Sequence, residues 1–190
     1  MLHRFYVVDV FTERPYSGNP LAVVLDADDL SVDTMQKLAS EMNFSETTFV
    51  MSEPEADGGY RVRIFTPARE IAFAGHPLLG TAWVIRQHVA PNVSGSIGLN
   101  LSVGKIPITF EFATEGEEVA WFLAPPVSLG PICPPKQIAE ALGLSSEDIA
   151  IKTPVQQVSA GTSAIMVPLR SLEALRRSRL DLQAFAPLAG

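Results

Sequence analysis

The segment that follows Gly75 lacks the polar face that a surface helix normally carries. When it is drawn as a helix, apolar residues occupy every side: Leu78, Leu79, Ala82, Trp83, Val84 and Ile85. A helix that is apolar all round is normally buried on every side. Strand patterns flank it, at residues 60–65 before it and at residues 97–103, 106–112 and 119–123 after it. The sequence therefore predicts a central buried helix with strands around it.

The start of this helix combines a histidine with free backbone donors. Gly75 can take backbone angles that are closed to other residues, and Pro77 suits the first helical position. Amide groups and the positive dipole end at a helix start bind anions. His76 is therefore a candidate to bind a substrate carboxylate, and the local potential favours its neutral imidazole. A capping or core histidine is the alternative interpretation.

Two further side chains are candidates for chemistry. Glu46 is flanked by Phe44, Thr47 and Phe49. Partial desolvation there would raise its pKa, which suits a proton shuttle at neutral pH. A solvated glutamate at a strand end is the alternative. Asn19, in a turn-rich loop, could orient a ligand with its side-chain amide, or it could satisfy its own turn.

The first part of the chain alternates strand and helix patterns. Residues 5–11 predict a buried strand, and residues 21–25 predict a second strand that forms a hairpin with it. A helix capped by Ser31 and ending at Met42 follows, and then a strand at residues 47–51. Turns are predicted at residues 94–96, 104–105 and 115–117.

The proline-rich stretch at residues 124–135 predicts a linker or domain crossing. It divides the chain into a first domain, residues 1–124, and a linker with a partial second domain, residues 125–190. Short elements are predicted in the second part: helices at 136–142, 172–177 and 181–186, and strands at 155–159 and 164–168. This part is too short to hold much core of its own, so we expect the second domain to be incomplete.

Composition excludes several classes of partner. A net charge of −7 argues against nucleic acid and against a membrane surface. The single cysteine, Cys133, permits no internal disulfide and no cysteine metal cluster, and it has no neighbouring base. Metal and nucleotide motifs are absent, so no cofactor is expected and proton transfer is the simplest chemistry.

Asp9 is either a second acid or a strand aspartate that faces a loop. A soluble cytoplasmic protein is the expectation.

Four motifs in the first half of the chain resemble those of the phenazine-biosynthesis isomerase-like (PhzF) family. They are VDVFT (8–12) followed by SGNPLAV (17–23), NFSETTF (43–49), RIFTP (63–67) and FAGHPLLGTA (73–82). Each motif alone is modest, but their order and spacing together are specific. The chain is similar to the N-terminal two-thirds of such a protein, and the remainder is expected beyond Gly190 or from a partner.

The resemblance implies an α+β, diaminopimelate-epimerase-like fold, in which a mostly antiparallel sheet wraps around a central helix in each of two domains. It implies a cofactor-independent isomerase, with Glu46 as general acid/base and with Gly75 and His76 holding the substrate carboxylate. The helix start carries His76 where racemases of the same fold carry a cysteine, so two-thiol racemisation is not supported. The resemblance also implies a homodimer.

Three hypotheses follow, in order of preference. The first is an isomerase that moves a proton on a small cyclic carboxylate. The second is a non-catalytic binding or oligomerising protein that keeps the scaffold. The third is a two-base epimerase whose second acid comes from a partner chain, because the acidic motif of the family's second domain is not found in this sequence.

Overall fold

The computed structural model describes residues 2–93, 95–112 and 118–188. The chain forms two compact units, which span residues 1–124 and 125–190. The predicted turn at residues 115–117 lies outside the described residues, as does Ser94 of the predicted turn at 94–96.

The first unit consists of two helices and eight strands in its described residues. The helices are α1 (Val32–Met42) and α2 (Gly75–His88). The strands are β1 (Phe5–Val10), β2 (Asn19–Val24), β3 (Glu46–Pro54), β4 (Tyr60–Phe65), β5 (Glu70–Ile71), β6 (Ser96–Leu101), β7 (Gly104–Phe112) and β8 (Glu118–Phe122).

These strands form one sheet in the order β1-β2-β3-β4-β6-β7-β8, with β5 paired to β4. The β2–β3 and β4–β6 pairs are parallel. The other pairs are antiparallel, including the predicted β1–β2 hairpin. The sheet is therefore mostly antiparallel, and the predicted α+β class is confirmed.

The two helices of this unit pack on opposite faces of the sheet. Side chains alternate between the faces of a strand, and in β2 the side chain of Val23 joins the core around α2 while that of Val24 joins the core around α1. In α1, Met35 and Ala39 are buried, and Ser31 accepts a hydrogen bond from the backbone N–H of Thr34 as the predicted cap. Strand β3 pairs with β2 and continues the same alternation. In β3, side chains of even-numbered residues therefore face α2, and side chains of odd-numbered residues face α1.

The helix α2 is central, as predicted. It contacts β1, β2, β3, β6, β7 and β8, and Leu78, Ala82 and Ile85 are completely buried. The prediction of burial on every side is wrong at Trp83, which is 42 % exposed. The sheet wraps around most of the helix and leaves this side uncovered.

Gly80 lets α2 lie very close to the first hairpin. A methyl group at Gly80 would lie 2.7 Å from Leu21 Cδ2 and 2.9 Å from Val10 Cγ2. Both distances are far shorter than a carbon–carbon van der Waals contact. Only glycine therefore permits this packing, which holds α2 against β1 and β2.

Three local predictions need correction. Strand β1 is not buried throughout, because it is the end strand of the sheet and Phe5 and Val7 are each 53 % exposed. Pro77 is the third residue of α2 rather than the first, and Gly75 does not use its freedom to take a positive φ. Gly104 begins β7, so the turn lies at residues 102–103, two residues earlier than predicted.

The second unit contains a small sheet and three short α-helices within residues 125–188. The strands are β9 (Ser128–Ile132), β10 (Gln156–Ser159) and β11 (Ser163–Met166), in the order β11-β10-β9. The helices are α3 (Pro135–Ala141), α4 (Leu172–Arg177) and α5 (Leu182–Phe185). A compact apolar cluster fills this unit: Ile138, Ala139, Leu144, Ile149 and Val155.

The linker predicted at residues 124–135 is wrong over part of its length, because β9 occupies Ser128–Ile132. Pro131 lies within this strand. A proline cannot donate a ladder hydrogen bond, so it is tolerated mainly in edge strands. Strand β9 is such an edge strand.

No helix in residues 2–93, 95–112 and 118–188 combines the length and the apolar character needed to cross a membrane.

Candidate active site

Three of the side chains singled out from the sequence meet at one end of the sheet. Asn19 is the first residue of β2, Glu46 is the first residue of β3, and His76 is the second residue of α2. Strands β2 and β3 are parallel neighbours, so both begin at the same end of the sheet. Glu46 lies at an even position and faces α2, whose first turn carries the histidine.

The His76 ring lies between the other two side chains. Its Nε2 atom is 3.4 Å from Glu46 Oε2, and its Nδ1 atom is 3.2 Å from Asn19 Nδ2. Asn19 is thus part of a strand and reaches the histidine, instead of satisfying a turn of its own. The contact holds the plane of the imidazole ring so that Nε2 points at Glu46.

The facing atoms of Glu46 and His76 are buried without a hydrogen bond. Among the described residues, neither Glu46 Oε2 nor His76 Nε2 has a hydrogen-bond partner. Their 3.4 Å separation is an ion-pair distance, but the two groups are not aligned for a hydrogen bond. The side chains are only 17 % and 8 % exposed. Buried polar atoms are normally paired, so two that face one point indicate a place for a ligand.

Burial shifts the pKa values of both groups toward their neutral forms. Removal from water raises the pKa of the Glu46 carboxyl. Burial lowers the pKa of the His76 imidazole, and the backbone carbonyl of Pro20 opposes this in part. An ion pair would shift both pKa values the other way. The predicted neutral histidine agrees with this direction, and burial is the main cause of the shift.

The first turn of α2 is open to an anion. Its N-cap residue, Ala74, provides no side-chain hydrogen bond to the helix amides. Gly75 has only the ring of Phe122 nearby, 3.4 Å from where a methyl group would be. Because the helix start lacks a cap and a bulky first side chain, a carboxylate can approach its amide groups.

Other candidates from the sequence lie elsewhere. Asp9 Oδ2 accepts a hydrogen bond from the backbone N–H of Tyr16, at 2.6 Å, so it stabilises the loop between β1 and β2. Cys133 lies in the second unit and is a free thiol. No group of three or more His, Cys, Asp or Glu side chains suited to a metal ion occurs among the described residues.

Sequence analysis missed a buried pair next to the site. Thr48 Oγ1 and Thr81 Oγ1 are 2.8 Å apart, and both residues are completely buried. Side chains alternate between the two faces of β3, so Thr48 lies on the same face as Glu46. This alternation is the sequence signal that could have placed Thr48 near the site.

The architecture and the site together define the class of protein. A mostly antiparallel sheet curls around a buried helix, and a carboxyl and an imidazole face each other at the helix start. This is the diaminopimelate-epimerase-like fold. A hydroxyproline epimerase from Agrobacterium vitis shares the fold, with a TM-score of 0.51 over 89 % of this chain and 50 % of its own, at 9 % identity.

The chain belongs to the PhzC-PhzF family, described as phenazine biosynthesis-like protein, whose model matches residues 8–188. It is 38 % identical to a trans-2,3-dihydro-3-hydroxyanthranilate isomerase of Pseudomonas aeruginosa over 96 % of this chain and 63 % of that protein. It is 36 % identical to the isomerase of the same name from Pseudomonas chlororaphis, over 97 % of this chain and 64 % of that protein.

Solved structures agree with this assignment. A Pseudomonas aeruginosa protein described as a predicted epimerase superposes with a TM-score of 0.84 at 31 % identity, over 100 % of this chain and 68 % of its own. A PhzF-family protein of Bacillus anthracis gives a TM-score of 0.81 at 28 % identity, over 98 % of this chain and 62 % of its own. The chain spans less than two-thirds of the length of the two curated isomerases, at 63 % and 64 %.

Proposed function

We propose that the protein is an isomerase that moves a proton between two carbons of a small cyclic carboxylate, without a cofactor. The observation that carries this proposal is the pair of buried, unpartnered atoms, Glu46 Oε2 and His76 Nε2, at an open helix start. Such a pair suits a ligand that brings its own hydrogen-bonding group and a removable proton. The names of the two isomerases quoted above support the same reaction class.

Glu46 is the proposed proton carrier. Its carboxylate removes a proton from one ring carbon, and the electron pair of the broken C–H bond passes into the conjugated system of the substrate. The resulting carboxyl group then returns the proton to another carbon on the same face of the ring. Atoms and electrons balance within the substrate, so the step needs no oxidant. The raised pKa of Glu46 suits both halves of the transfer.

His76 and the first turn of α2 are the proposed carboxylate-binding group. A neutral imidazole whose Nδ1 accepts a hydrogen bond from the Asn19 amide carries its proton on Nε2 and can donate it to the ligand. The amide of Gly75 adds a second donor at the positive end of the helix dipole. Binding the carboxylate there fixes the ring next to Glu46.

Substitution of Glu46 tests the proposal. Glu46→Gln keeps the shape of the side chain but removes the proton carrier, so turnover of trans-2,3-dihydro-3-hydroxyanthranilate should fall by about 100-fold or more. Product formation is followed by chromatography. Glu53→Gln is the matched control, since Glu53 lies on the same strand and is exposed. Unchanged turnover in Glu46→Gln would refute the assignment.

We further propose that the protein forms a homodimer. The end strands of the sheet carry large exposed apolar side chains, namely Phe5 (53 %), Val7 (53 %) and Trp121 (58 %). Apolar side chains on an open sheet edge favour association. Light scattering during gel filtration should give twice the chain mass, and a single chain mass at micromolar concentration would contradict the proposal.

A further inference from the structure

A hydrogen bond between two threonines lies in the apolar core beside the candidate site. Thr48 on β3 and Thr81 on α2 have no exposed surface, and their hydroxyl oxygens are 2.8 Å apart. Helix α2 also contributes Leu78 and Ala82 to the apolar core on this side of the sheet. A hydroxyl group removed from water is costly unless it is paired, so each threonine depends on the other.

This bond and the Glu46–His76 contact are two points of the same packing between β3 and α2. Glu46 and Thr48 are two positions apart on one face of the strand, a distance of about 6.6 Å. His76 and Thr81 are five positions apart on the helix, a rise of about 7.5 Å along its axis. Five positions also correspond to a rotation of about 140° around the helix axis, so the two contacts with β3 come from different sides of α2.

Only one of these two contacts is a directional bond. Glu46 and His76 are close but not aligned, so their contact cannot fix the separation of strand and helix. Apolar packing alone permits small shifts along the strand, because it is non-directional. A hydrogen bond weakens steeply as its geometry departs from the optimum. The threonine pair thus adds a directional contact between α2 and β3 to the close packing at Gly80.

We propose that Thr48 and Thr81 are positioning residues, whose buried hydrogen bond holds β3 and α2 in the register that places the Glu46 carboxyl against the His76 ring. The inference rests on the proposed function where it names Glu46 as the proton carrier. The placement itself does not depend on turnover.

Two kinds of variant distinguish the effect of losing the hydrogen bond from the effect of losing packing. The double variant Thr48→Val/Thr81→Val keeps the shape of both side chains and removes both hydroxyls, so no polar group is left unpaired. Thr48→Ser keeps the hydroxyl and removes a methyl group instead. Urea unfolding of each variant measures its stability. If the double variant does not fold, Thr48→Val takes its place, with Thr48→Ser again as the control.

Kinetics give the first readout. In the double valine variant, kcat should fall by about 10- to 100-fold with KM nearly unchanged, because a displacement of the order of 1 Å slows proton transfer more than binding. Thr48→Ser should keep kcat near that of the native chain even where its stability is lower. A native kcat in the valine variant would overturn the inference. An equal loss of kcat in the serine variant would overturn it as well.

NMR titration gives a readout that is independent of turnover. With ¹³C-labelled glutamate, the Glu46 carboxyl resonance is assigned by its loss in Glu46→Gln. In the double valine variant its pKa should move down toward the ordinary value, because a looser contact admits water, and in Thr48→Ser it should not. An unchanged pKa in the valine variant would overturn the inference. A shifted pKa together with full turnover by Glu46→Gln would overturn the proposed function instead and leave the positioning role standing.

Discussion

Glu46 keeps a carboxyl group where its charge is disfavoured. The side chain is 17 % exposed, and burial raises its pKa. Within the part of the chain that the structure describes, no hydrogen bond reaches Oε2. A folded protein gains nothing in stability from such a group, whereas a proton-transfer site requires one.

Glu46→Gln should therefore stabilise the fold at high pH. The pKa of Glu46 is raised in the folded state, so folding binds a proton between the unfolded and folded pKa values, and stability is lost as pH rises through that range. Glutamine removes this loss. The melting temperature of Glu46→Gln should exceed that of the native chain at pH 8 and approach it at pH 4.

The matched control is Glu53→Gln on the exposed part of β3. Its melting temperature should follow that of the native chain at both pH values. A Glu46→Gln chain that melts below the native chain at pH 8 would show that the carboxylate is stabilised in the fold.

His76→Gln should weaken the binding of simple cyclic carboxylates. Loss of the imidazole donor at the helix start should raise the Kd for benzoate by about 10- to 100-fold, which corresponds to one hydrogen bond to a charged group. Isothermal titration calorimetry measures this. His88→Gln, at the exposed far end of the same helix, should bind as the native chain does. Equal affinity in His76→Gln would place the carboxylate elsewhere.

At the scale of elements, the site depends on how closely α2 lies against the first hairpin. A methyl group at Gly80 would meet Leu21 Cδ2 at 2.7 Å and Val10 Cγ2 at 2.9 Å. Leu21 is also the register partner of Glu46 in the β2–β3 pair. Movement of α2 away from this position would therefore disturb the end of the sheet that carries the site.

Gly80→Ala should destabilise the protein by about 1–3 kcal/mol through overpacking. Alanine has the higher helix propensity, so a net loss would come from packing alone. Urea unfolding measures the change, and Gln87→Ala on the exposed side of α2 should stay within about 0.5 kcal/mol of the native chain. An unchanged or higher stability of Gly80→Ala would mean that helix and hairpin separate without cost.

Local signals in the sequence were sufficient for many elements. The pattern predicted β4 at 60–65 and α4 at 172–177 with the bounds that the structure shows. Strand β9 was missed because Pro131 indicates a linker when its edge position is not known. The meeting of Glu46 and His76 was implied by the family motifs only, since spacing within one chain does not set the register of β2, β3 and α2. The threonine pair was missed for the same reason.

At the scale of the whole molecule, each of the two units has its own apolar core. We propose that residues 1–124 and 125–190 are separate domains, joined by residues 123–127, which lie outside any described strand or helix. Leu123 is 85 % exposed, so brief chymotrypsin treatment should cut after it and release residues 124–190 as an intact fragment. First cuts inside the strands of either unit would contradict the proposal.

The fate of the moved proton tests the central claim most directly. The protein is incubated with trans-2,3-dihydro-3-hydroxyanthranilate in D₂O, and the product is examined by NMR and mass spectrometry. We predict a rearranged product with a new C–H bond at a carbon other than the one that lost its hydrogen. This position carries deuterium in those turnovers in which the Glu46 carboxyl exchanges with solvent between the two steps. Deuterium at the same carbon that lost its hydrogen, with the configuration of that carbon inverted, would indicate an epimerase. Binding without any rearrangement or deuterium uptake would contradict the isomerase account.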